Sequence, residues 1–322
     1  MVCQKEQSRL AGMKKQRYDI NQCALYKCRS KKKLMSLLDI SINEYDDISN
    51  ISSYHSFNIC KKDINEKRTI TAPDNRLKII QKRLLRLMTY IRRPEWLMSG
   101  EKGKCYIDNG KAHVNSKYIL TIDIKKFYDN CKREYVFKFF KDRLLMAGDI
   151  AGFCTDLVCL EGGIPTGCPT SQLIAFYAYE NMFTELFTLA ETNSCIFTVY
   201  VDDMTFSSAT PFEVNRLKKD VDILLRKYGH KPKYKKVKYY NKDTPAPITG
   251  TIVTVDNKLK IPNNLQKKVY DSFQELKEIM EKEKLSVADK KKLMTLNGQI
   301  QSAKNIEQNK FVEIKRLSDR RK

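Results

Sequence analysis

Long hydrophobic runs are absent from this sequence: no apolar stretch approaches the ~20 residues that a helix needs to cross a bilayer. The first residues also lack the succession of charged, apolar and small residues that marks a signal peptide. Both absences argue against a membrane-spanning or secreted protein. We therefore expect a cytoplasmic protein that has no membrane partner.

Cysteine pairs with zinc-site spacing are missing as well, although the chain has 10 cysteines, and its 3 histidines lie far apart. Metal centres built from thiols or histidines are therefore not expected. The cysteines are expected to be reduced and partly buried. A metal site in this chain would have to consist of oxygen ligands, which is the ligand set that Mg²⁺ prefers.

Acidic residues are the minority among the charged side chains. Lys and Arg number 60 against 38 Asp and Glu, and the resulting net charge of +22 is spread along the whole chain. This excess predicts a polyanionic partner, with nucleic acid as the first candidate and a membrane surface as the alternative. A length of 322 residues with 42% hydrophobic residues suffices for a globular core.

Of the motifs that the sequence contains, Tyr200-Val201-Asp202-Asp203 carries the clearest chemical signal. The flanking segments 195–201 and 204–207 are rich in β-branched and aromatic residues. This pattern predicts a hairpin with Asp202 and Asp203 at its tip, where a divalent metal can be held. An ordinary turn is the alternative, because Asp is common in turns.

Asp123 supplies a third carboxylate in a similar setting. It lies near the end of the apolar run 118–124, and an aromatic pair and a helical stretch follow it. Acids at the ends of two strands that are distant in sequence can converge on a pair of cations. The third acid therefore favours a catalytic metal site over a plain turn.

Three further segments accompany the acidic strands. A basic, strand-like segment, 67–73, precedes a helix with a periodic apolar stripe. A loop dense in glycine and proline, 162–171, separates the acidic strands and lets the backbone approach a ligand closely. A basic run with interleaved tyrosines, 231–240, suits either a phosphate backbone or an exposed edge strand.

In this order, the segments resemble the motifs of reverse transcriptases, most closely those of the bacterial retron type, over roughly residues 55–310. Asp123 with the Phe127-Tyr128 pair resembles the first catalytic motif of these enzymes. The segment from Tyr200 to Asp203 resembles their Tyr-x-Asp-Asp signature, and Lys236 matches the lysine that follows it. The 163–171 segment resembles their Pro-Gln-Gly loop.

Two less general elements carry the resemblance to retron enzymes. Asn109 and His113 keep the first and last residues of an Asn-Ala-x-x-His element, and Ile248-Thr249-Gly250 resembles a Val-Thr-Gly element. The resemblance assigns Asn109, His113, Thr249 and Gly250 to RNA binding. Taken singly, His113 is also consistent with a structural histidine, and Thr249-Gly250 with a turn.

The fold that the resemblance implies is an α+β right-hand polymerase. The N-terminal helices and fingers would take up residues 1–115. The palm, with the catalytic acids on an antiparallel sheet and part of the fingers inserted, would take up 116–255. A helical thumb would follow from 256 to 322.

The resemblance also assigns the chemistry. Asp123, Asp202, Asp203 and the carbonyl of Ile124 would hold two Mg²⁺ ions, for which Mn²⁺ is expected to substitute. Asp202 would be a direct ligand and Asp203 a supporting acid. Lys236 would be the proton donor to the leaving pyrophosphate.

A second set of residues is assigned to the incoming nucleotide. Lys67 and Arg68 would offset the charge of the triphosphate, and Tyr128 would exclude a ribose 2′-hydroxyl. Thr166 and Gly167 belong to the loop that contacts the nucleotide. Thr166 replaces the usual glutamine, and Gln172 stands where a proline is usual, so substrate contacts there are expected to differ.

The expected function is RNA-directed DNA synthesis of the retron type. A structured non-coding RNA would serve as template and primer, dNTPs as substrates, and an RNA–DNA heteroduplex as the bound product, which becomes a branched RNA–DNA molecule. A separate effector protein and a role in anti-phage defence are also implied. The alternatives are another bacterial defence-associated reverse transcriptase, a Mg²⁺-dependent nuclease, or a non-catalytic RNA-binding protein of polymerase fold.

Overall fold

The computed structural model describes residues 17–60, 67–280 and 285–319. These residues form two compact units. One unit contains the described residues of Met1–Glu95, Lys126–Phe183 and Tyr228–His230. The other contains those of Trp96–Lys125, Thr184–Lys227 and Lys231–Lys322. We call them the first and the second unit.

The α-helices are numbered in chain order. They are α1 (Lys31–Leu38), α2 (Ile42–Asp46), α3 (Asn75–Met88), α4 (Tyr106–Lys111), α5 (Arg133–Lys138), α6 (Gly148–Asp156), α7 (Ser171–Ala178), α8 (Glu180–Thr192), α9 (Val214–Lys227), α10 (Asn263–Met280), α11 (Val287–Ile306) and α12 (Val312–Asp319).

Within the described part of the chain, the strands form three antiparallel sheets. They are β1 (Tyr54–Cys60), β2 (Lys67–Pro73), β3 (Tyr118–Asp123), β4 (Ile196–Tyr200), β5 (Asp203–Ser208), β6 (Lys238–Tyr240), β7 (Ala246–Ile248), β8 (Thr251–Val253) and β9 (Leu259–Lys260). The strand orders are β1-β2, β4-β5-β3-β6 and β7-β8-β9.

Helix α3 shows how the sequence builds the core of the first unit. Its apolar residues recur every three or four positions, which places them on one face of a helix. The fully buried ones are Leu77, Ile80, Leu84 and Met88. Gln81 lies on the same face, and its Nε2 donates a hydrogen bond to the carbonyl of Leu157 over 2.8 Å, which satisfies a buried polar group. The predicted periodic helix is confirmed.

The second unit is built around the sheet β4-β5-β3-β6. The apolar side chains of Ile122, Val199, Met204 and Phe206 are buried in it, while polar residues alternate with them along β5. The predicted strands on either side of Asp202 and before Asp123 are confirmed. Alternation along these strands gives the sheet one face that carries Asp203 and another that is apolar.

Helices α10 to α12 pack on one another around a separate apolar cluster in the second unit. Its buried members are Val269, Leu276, Leu293, Leu296, Ile300 and Ile314. The Ser286 hydroxyl accepts a hydrogen bond from the amide of Asp289, and the Asp289 carboxylate accepts one from the amide of Ser286. This capping box fixes where α11 begins.

Two sequence expectations concern the chain as a whole. Within the described ranges, no helix is both long and apolar enough to span a bilayer. The described cysteines are free thiols, and most of them are buried, among them Cys131 and Cys154. Burial raises the pKa of the thiol of Cys195 to about 11, so it remains protonated at neutral pH.

Candidate active site

Asp123 and Asp203 face each other across two neighbouring strands of the second unit. Strand β3 ends at Asp123, β5 begins at Asp203, and the antiparallel register makes the two residues direct partners. Directly opposed residues in such strands have Cβ atoms about 5 Å apart on the same face of the sheet. The pairing therefore brings together two carboxylates that are distant in sequence.

Asp202 joins them from the turn between β4 and β5. Tyr200 and Asp203 are paired, so the tip of the hairpin is Val201-Asp202. The prediction that both acids lie at the tip is therefore wrong for Asp203, which is the first residue of β5. The strand ladder extends to the pair Tyr200–Asp203 because a two-residue connection closes the hairpin.

The backbone of Val201 is left-handed, with a φ of 62°. This conformation is an outlier for a β-branched residue and costs roughly 1–2 kcal/mol. The amide of Val201 donates a hydrogen bond to Ser99 Oγ over 2.9 Å, and Ser99 is buried. The bond helps to hold the turn in this conformation, and so it fixes the direction of the neighbouring Asp202.

The three carboxylates influence one another electrostatically. The pKa of Asp202 is raised to about 6, first by burial and then by the charges of Asp203 and Asp123. The pKa of Asp203 is also raised, first by burial and then by Asp123. Ionising this cluster is costly because like charges lie close together in a partly buried place. A bound cation would relieve this repulsion.

Lys236 is the cation that the structure itself brings to the cluster. Its Nζ lies 2.5 Å from Oδ2 of Asp123, and this hydrogen bond raises the pKa of the ammonium group. The position of Lys236 is set by the preceding residues, because the amide of Lys233 donates a hydrogen bond to the carbonyl of Asp123 over 2.7 Å. The predicted proximity of Lys236 to the acids is found.

Ile124 links the end of β3 to the hairpin tip. Its amide donates a hydrogen bond to the backbone carbonyl of Asp202 over 3.0 Å, and its side chain is fully buried. This contact keeps Asp123 and Asp202 on neighbouring backbone segments. The predicted role of the Ile124 carbonyl as a metal ligand remains a prediction.

The predicted nucleotide-binding loop belongs to the first unit, where it lies against β2. The amide of Gly167 donates a hydrogen bond to the carbonyl of Thr71 over 2.9 Å. A Cβ atom at position 167 would lie 2.5 Å from that oxygen, so only glycine allows this approach. Thr166 is half-buried beside it.

Tyr128 also belongs to the first unit. Its neighbour Phe127 is buried and packs against Tyr179, Phe183 and His230. Tyr128 itself is half-buried at the start of a 3₁₀ turn, Tyr128–Asn130. The core aromatic of this pair is therefore Phe127, which leaves the predicted gate role of Tyr128 open.

Lys67 and Arg68 begin β2, where they pair with Cys60 and Ile59. The backbone of these two residues is described, and their side chains lie outside the described part of the chain. Their predicted contacts with the triphosphate remain predictions.

Of the four residues assigned to RNA binding, Asn109 and His113 are buried, Thr249 is half-buried and Gly250 is exposed. Asn109 is fully buried, and its Nδ2 donates a hydrogen bond to Thr249 Oγ1 over 2.8 Å. His113 is fully buried, and both its ring nitrogens contact protein hydroxyls. Neither side chain can reach RNA in this structure, so the predicted RNA contacts of Asn109 and His113 are not supported.

Thr249 and Gly250 form the turn between β7 and β8. Both have positive φ angles, 40° and 87°, as a two-residue type I′ hairpin turn requires. The turn explains the glycine without reference to a ligand. Gly250 is exposed, so its predicted RNA contact remains a prediction.

Sequence reasoning did not identify Ser99. It lies more than a hundred positions from Val201, in a segment without a recognisable motif, and no local pattern marks it. The same segment supports the edge of the sheet, since the amide of Val199 donates a hydrogen bond to the carbonyl of Trp96 over 3.0 Å.

The family comparison agrees with this geometry. A family model described as "Reverse transcriptase (RNA-dependent DNA polymerase)" matches residues 59–253, which is more than half of the chain and includes β3, β4, β5 and Lys236. The chain belongs to the reverse transcriptase family. The predicted family is therefore confirmed, and with it the α+β right-hand polymerase fold, to which the antiparallel sheets conform.

Curated relatives of this chain include two retron reverse transcriptases of Escherichia coli. The chain is 23% identical over 215 residues to the retron Ec48 reverse transcriptase, covering 66% of this chain and 52% of that protein. It is 25% identical over 269 residues to the retron Ec83 reverse transcriptase, covering 79% of this chain and 83% of that protein. The match thus spans about half the length of the Ec48 enzyme, and the predicted resemblance to the retron type is confirmed.

Among solved structures, the chain resembles apo telomerase from Candida tropicalis truncated from its C-terminal domain. The TM-score is 0.48 at 12% sequence identity, and the likeness covers 66% of this chain and 55% of that one.

The donor set of the acidic cluster fits a hard divalent cation, because its side chains offer only carboxylate oxygens. The raised pKa of Asp202 fits as well, since a cation would offset the repulsion that raises it. Within residues 17–60, 67–280 and 285–319, no three Asp, Glu, His or Cys side chains already form a group that could hold a metal ion. The ammonium group of Lys236 lies against Asp123, so cation binding would require this ion pair to open.

Proposed function

We propose that this chain is an RNA-directed DNA polymerase of the retron type, which copies a structured non-coding RNA into single-stranded DNA. The observation that carries the proposal is the meeting of Asp123, Asp202 and Asp203 at the end of one sheet. Membership of the reverse transcriptase family and the retron relatives support it.

We propose two Mg²⁺ ions as the cofactor, with Mn²⁺ as a substitute. Asp123, Asp202, Asp203 and the carbonyl of Ile124 would supply the oxygen ligands. Bound at these groups, the cations would activate the primer hydroxyl and offset the charge of the triphosphate. The mutual repulsion of the three carboxylates supports the proposal, because it favours binding of a cation over leaving the acids ionised and unpaired.

The chain's own residues have separate tasks in this mechanism. Asp202, at the hairpin tip, would be a direct ligand, and Asp203, on β5, a supporting acid. In this structure Lys236 forms an ion pair with Asp123. Released from Asp123, its ammonium group would donate a proton to the leaving pyrophosphate. Tyr128 would exclude ribonucleotides, and Lys67, Arg68, Thr166 and Gly167 would contact the nucleotide, as the family resemblance assigns them.

The proposed partners are a non-coding RNA that serves as template and primer, the RNA–DNA heteroduplex formed from it, and dNTPs. The net charge of +22 supports a polyanionic partner and predicts RNA binding that weakens steeply with salt. A branched RNA–DNA product, a separate effector protein and a role in anti-phage defence rest on the retron resemblance alone.

Primer extension tests the proposal. Purified protein with a primed RNA template, dNTPs and Mg²⁺ is expected to extend the primer, and Asp202→Asn is expected to abolish extension while RNA affinity stays unchanged. Asp243→Asn is a charge-matched control, because Asp243 is exposed in the loop between β6 and β7. Folded wild-type protein that cleaves its copurifying RNA, and extends no primer on it, would establish the nuclease alternative instead.

A further inference from the structure

His113 lies at the centre of a buried polar network in the second unit. Its Nδ1 is 2.6 Å from Ser207 Oγ, and its Nε2 is 2.7 Å from Thr198 Oγ1. Ser207 Oγ is in turn 2.8 Å from Ser116 Oγ. All four side chains are buried, and His113 is 0% exposed. Both ring nitrogens are therefore fully used within the protein.

The network joins the two strands of the hairpin that carries Asp202. Thr198 belongs to β4 and Ser207 to β5, and the register pairs Thr198 with Thr205. Side chains two residues apart on a strand point to the same face, so Ser207 and Thr205 share a face with Asp203. His113 thus bridges the strands on the face of the sheet that carries the catalytic carboxylates.

The bridge matters because β4 is the edge strand of this sheet. It has β5 on one side, and on the other side it is supported by the short pairing with Trp96, Leu97 and Met98. The turn that follows β4 contains the left-handed Val201, whose conformation is unfavourable for its residue type. A second link between β4 and β5 therefore opposes relaxation of this turn.

The network is satisfied by an uncharged ring. A neutral imidazole has one donor and one acceptor, and each hydroxyl can act as either. Burial lowers the pKa of His113 to about 3, so the ring is neutral at physiological pH. A neutral, buried ring with two protein partners has no capacity left to bind a phosphate group.

We propose that His113 is a positioning residue that holds β4 against β5, so that the turn carrying Asp202 and the start of β5 at Asp203 keep one conformation. This role goes beyond the proposed function and rests on it for its effect on catalysis. It replaces the RNA contact that the family resemblance assigned to His113. Asn109 has a parallel structural role, since it links α4 to the turn at Thr249.

The kinetic test compares two substitutions at position 113. His113→Leu fills the position with an apolar side chain and removes both hydrogen bonds. We expect kcat for primer extension to fall about tenfold or more, because small misplacements of catalytic groups are costly. His113→Gln can keep one bond to a hydroxyl and is expected to restore part of the loss. The dissociation constant for RNA should stay unchanged in both. A loss of RNA affinity at unchanged kcat would overturn the proposal.

A second pair of variants separates positioning from general destabilisation. Thr198→Val removes the hydroxyl that contacts Nε2 of His113. Its effect on kcat should therefore be absent in the His113→Leu background, as expected for residues that act through one interaction. Fully additive effects would contradict the bridge. Thr155→Val removes a buried hydroxyl that bonds within α6 of the first unit, and it should leave kcat unchanged at temperatures where it is folded.

Hydrogen exchange gives a readout that does not need polymerase activity. Amides in the 196–208 segment should exchange faster in His113→Leu than in the wild type, and at the wild-type rate in Thr155→Val. Unchanged exchange in His113→Leu would overturn the positioning role. If the wild type fails to extend any primer, the proposed function fails, and the exchange experiment still decides what His113 does.

Discussion

The amide of Val201 donates a hydrogen bond to the hydroxyl of Ser99 across 2.9 Å, and this contact supports the turn that presents Asp202. Val201 is held at a φ of 62°, which the surrounding structure must stabilise against a cost of roughly 1–2 kcal/mol. Removal of the Ser99 hydroxyl therefore tests how much this hydrogen bond contributes to the turn.

Ser99→Ala is expected to lower the free energy of unfolding by about 1 kcal/mol through loss of one hydrogen bond. It should also lower the rate of primer extension, because the turn is no longer held. Thermal unfolding and single-turnover extension measure the two effects. Ser302→Ala removes a comparable hydroxyl bond within α11 and should leave extension unchanged. Equal extension rates in Ser99→Ala and wild type would show that the contact is not needed for catalysis.

The raised pKa of Asp202 predicts how stability depends on pH without divalent cations. The pKa is about 6 in the folded chain against an ordinary 3.8, so the folded state binds the proton more tightly than the unfolded state. Ionisation therefore lowers stability progressively between about pH 4 and 6, and the whole cost is present above pH 6. Asp202→Asn should remove this cost.

In chelator, Asp202→Asn is expected to raise the free energy of unfolding by roughly 3 kcal/mol at pH values well above 6. The gain should shrink toward zero as the pH is lowered to about 4. Denaturant unfolding at a series of pH values measures the difference between the two proteins. A gain that does not change with pH would mean that the charge of Asp202 is not its source.

Lys236 and a divalent cation should compete for Asp123. Lys236→Met keeps the length of the side chain and removes the ammonium group that lies 2.5 Å from Asp123 Oδ2. The variant is expected to bind Mg²⁺ or Mn²⁺ more tightly and to extend primers more slowly, because the proposed proton donor is gone. Calorimetric cation titration and extension assays test both. Lys258→Met, which removes a surface ion pair with Asp256, serves as control. Weaker cation binding in Lys236→Met would exclude competition.

Tyr128 is predicted to select deoxyribonucleotides. Tyr128→Ala should raise incorporation of ribonucleotides relative to dNTPs, because the ring that crowds the 2′-hydroxyl is removed. Tyr128→Phe keeps the ring and should retain the selectivity of the wild type, so it is the matched control. Competition assays with mixed nucleotides measure the ratio. Unchanged selectivity in Tyr128→Ala would assign the gate to another residue.

Alanine substitutions at Gly167 and Gly152 should have opposite effects on the free energy of unfolding. A Cβ atom at position 167 would lie 2.5 Å from the carbonyl oxygen of Thr71, whereas at position 152 in α6 it would meet nothing within 4 Å. Gly167→Ala is expected to cost about 1–3 kcal/mol of stability. Gly152→Ala should gain up to about 1 kcal/mol from helix propensity. Thermal unfolding of both variants measures this, and similar shifts would contradict the close approach to β2.

Local patterns were enough to predict much of this protein. The alternation around Asp123 and Asp202 predicted the strands β3, β4 and β5, and the three- and four-residue spacing predicted α3, since each pattern directly reflects which face is buried. The order of the motifs was enough to predict the reverse transcriptase family. The excess of positive charge predicted a polyanionic partner without reference to any fold.

The tertiary structure decided the rest, because it depends on contacts between residues that are distant in sequence. Only the folded chain shows that Asp203 begins β5 opposite Asp123, that Ser99 supports Val201, and that Lys236 neutralises Asp123. The same holds for His113: a motif can mark it as important, but only the folded chain shows that it is buried and that its ring contacts two hydroxyl groups. The sequence indicated which residues could carry the chemistry, and long-range packing determined which of them touch and which are buried.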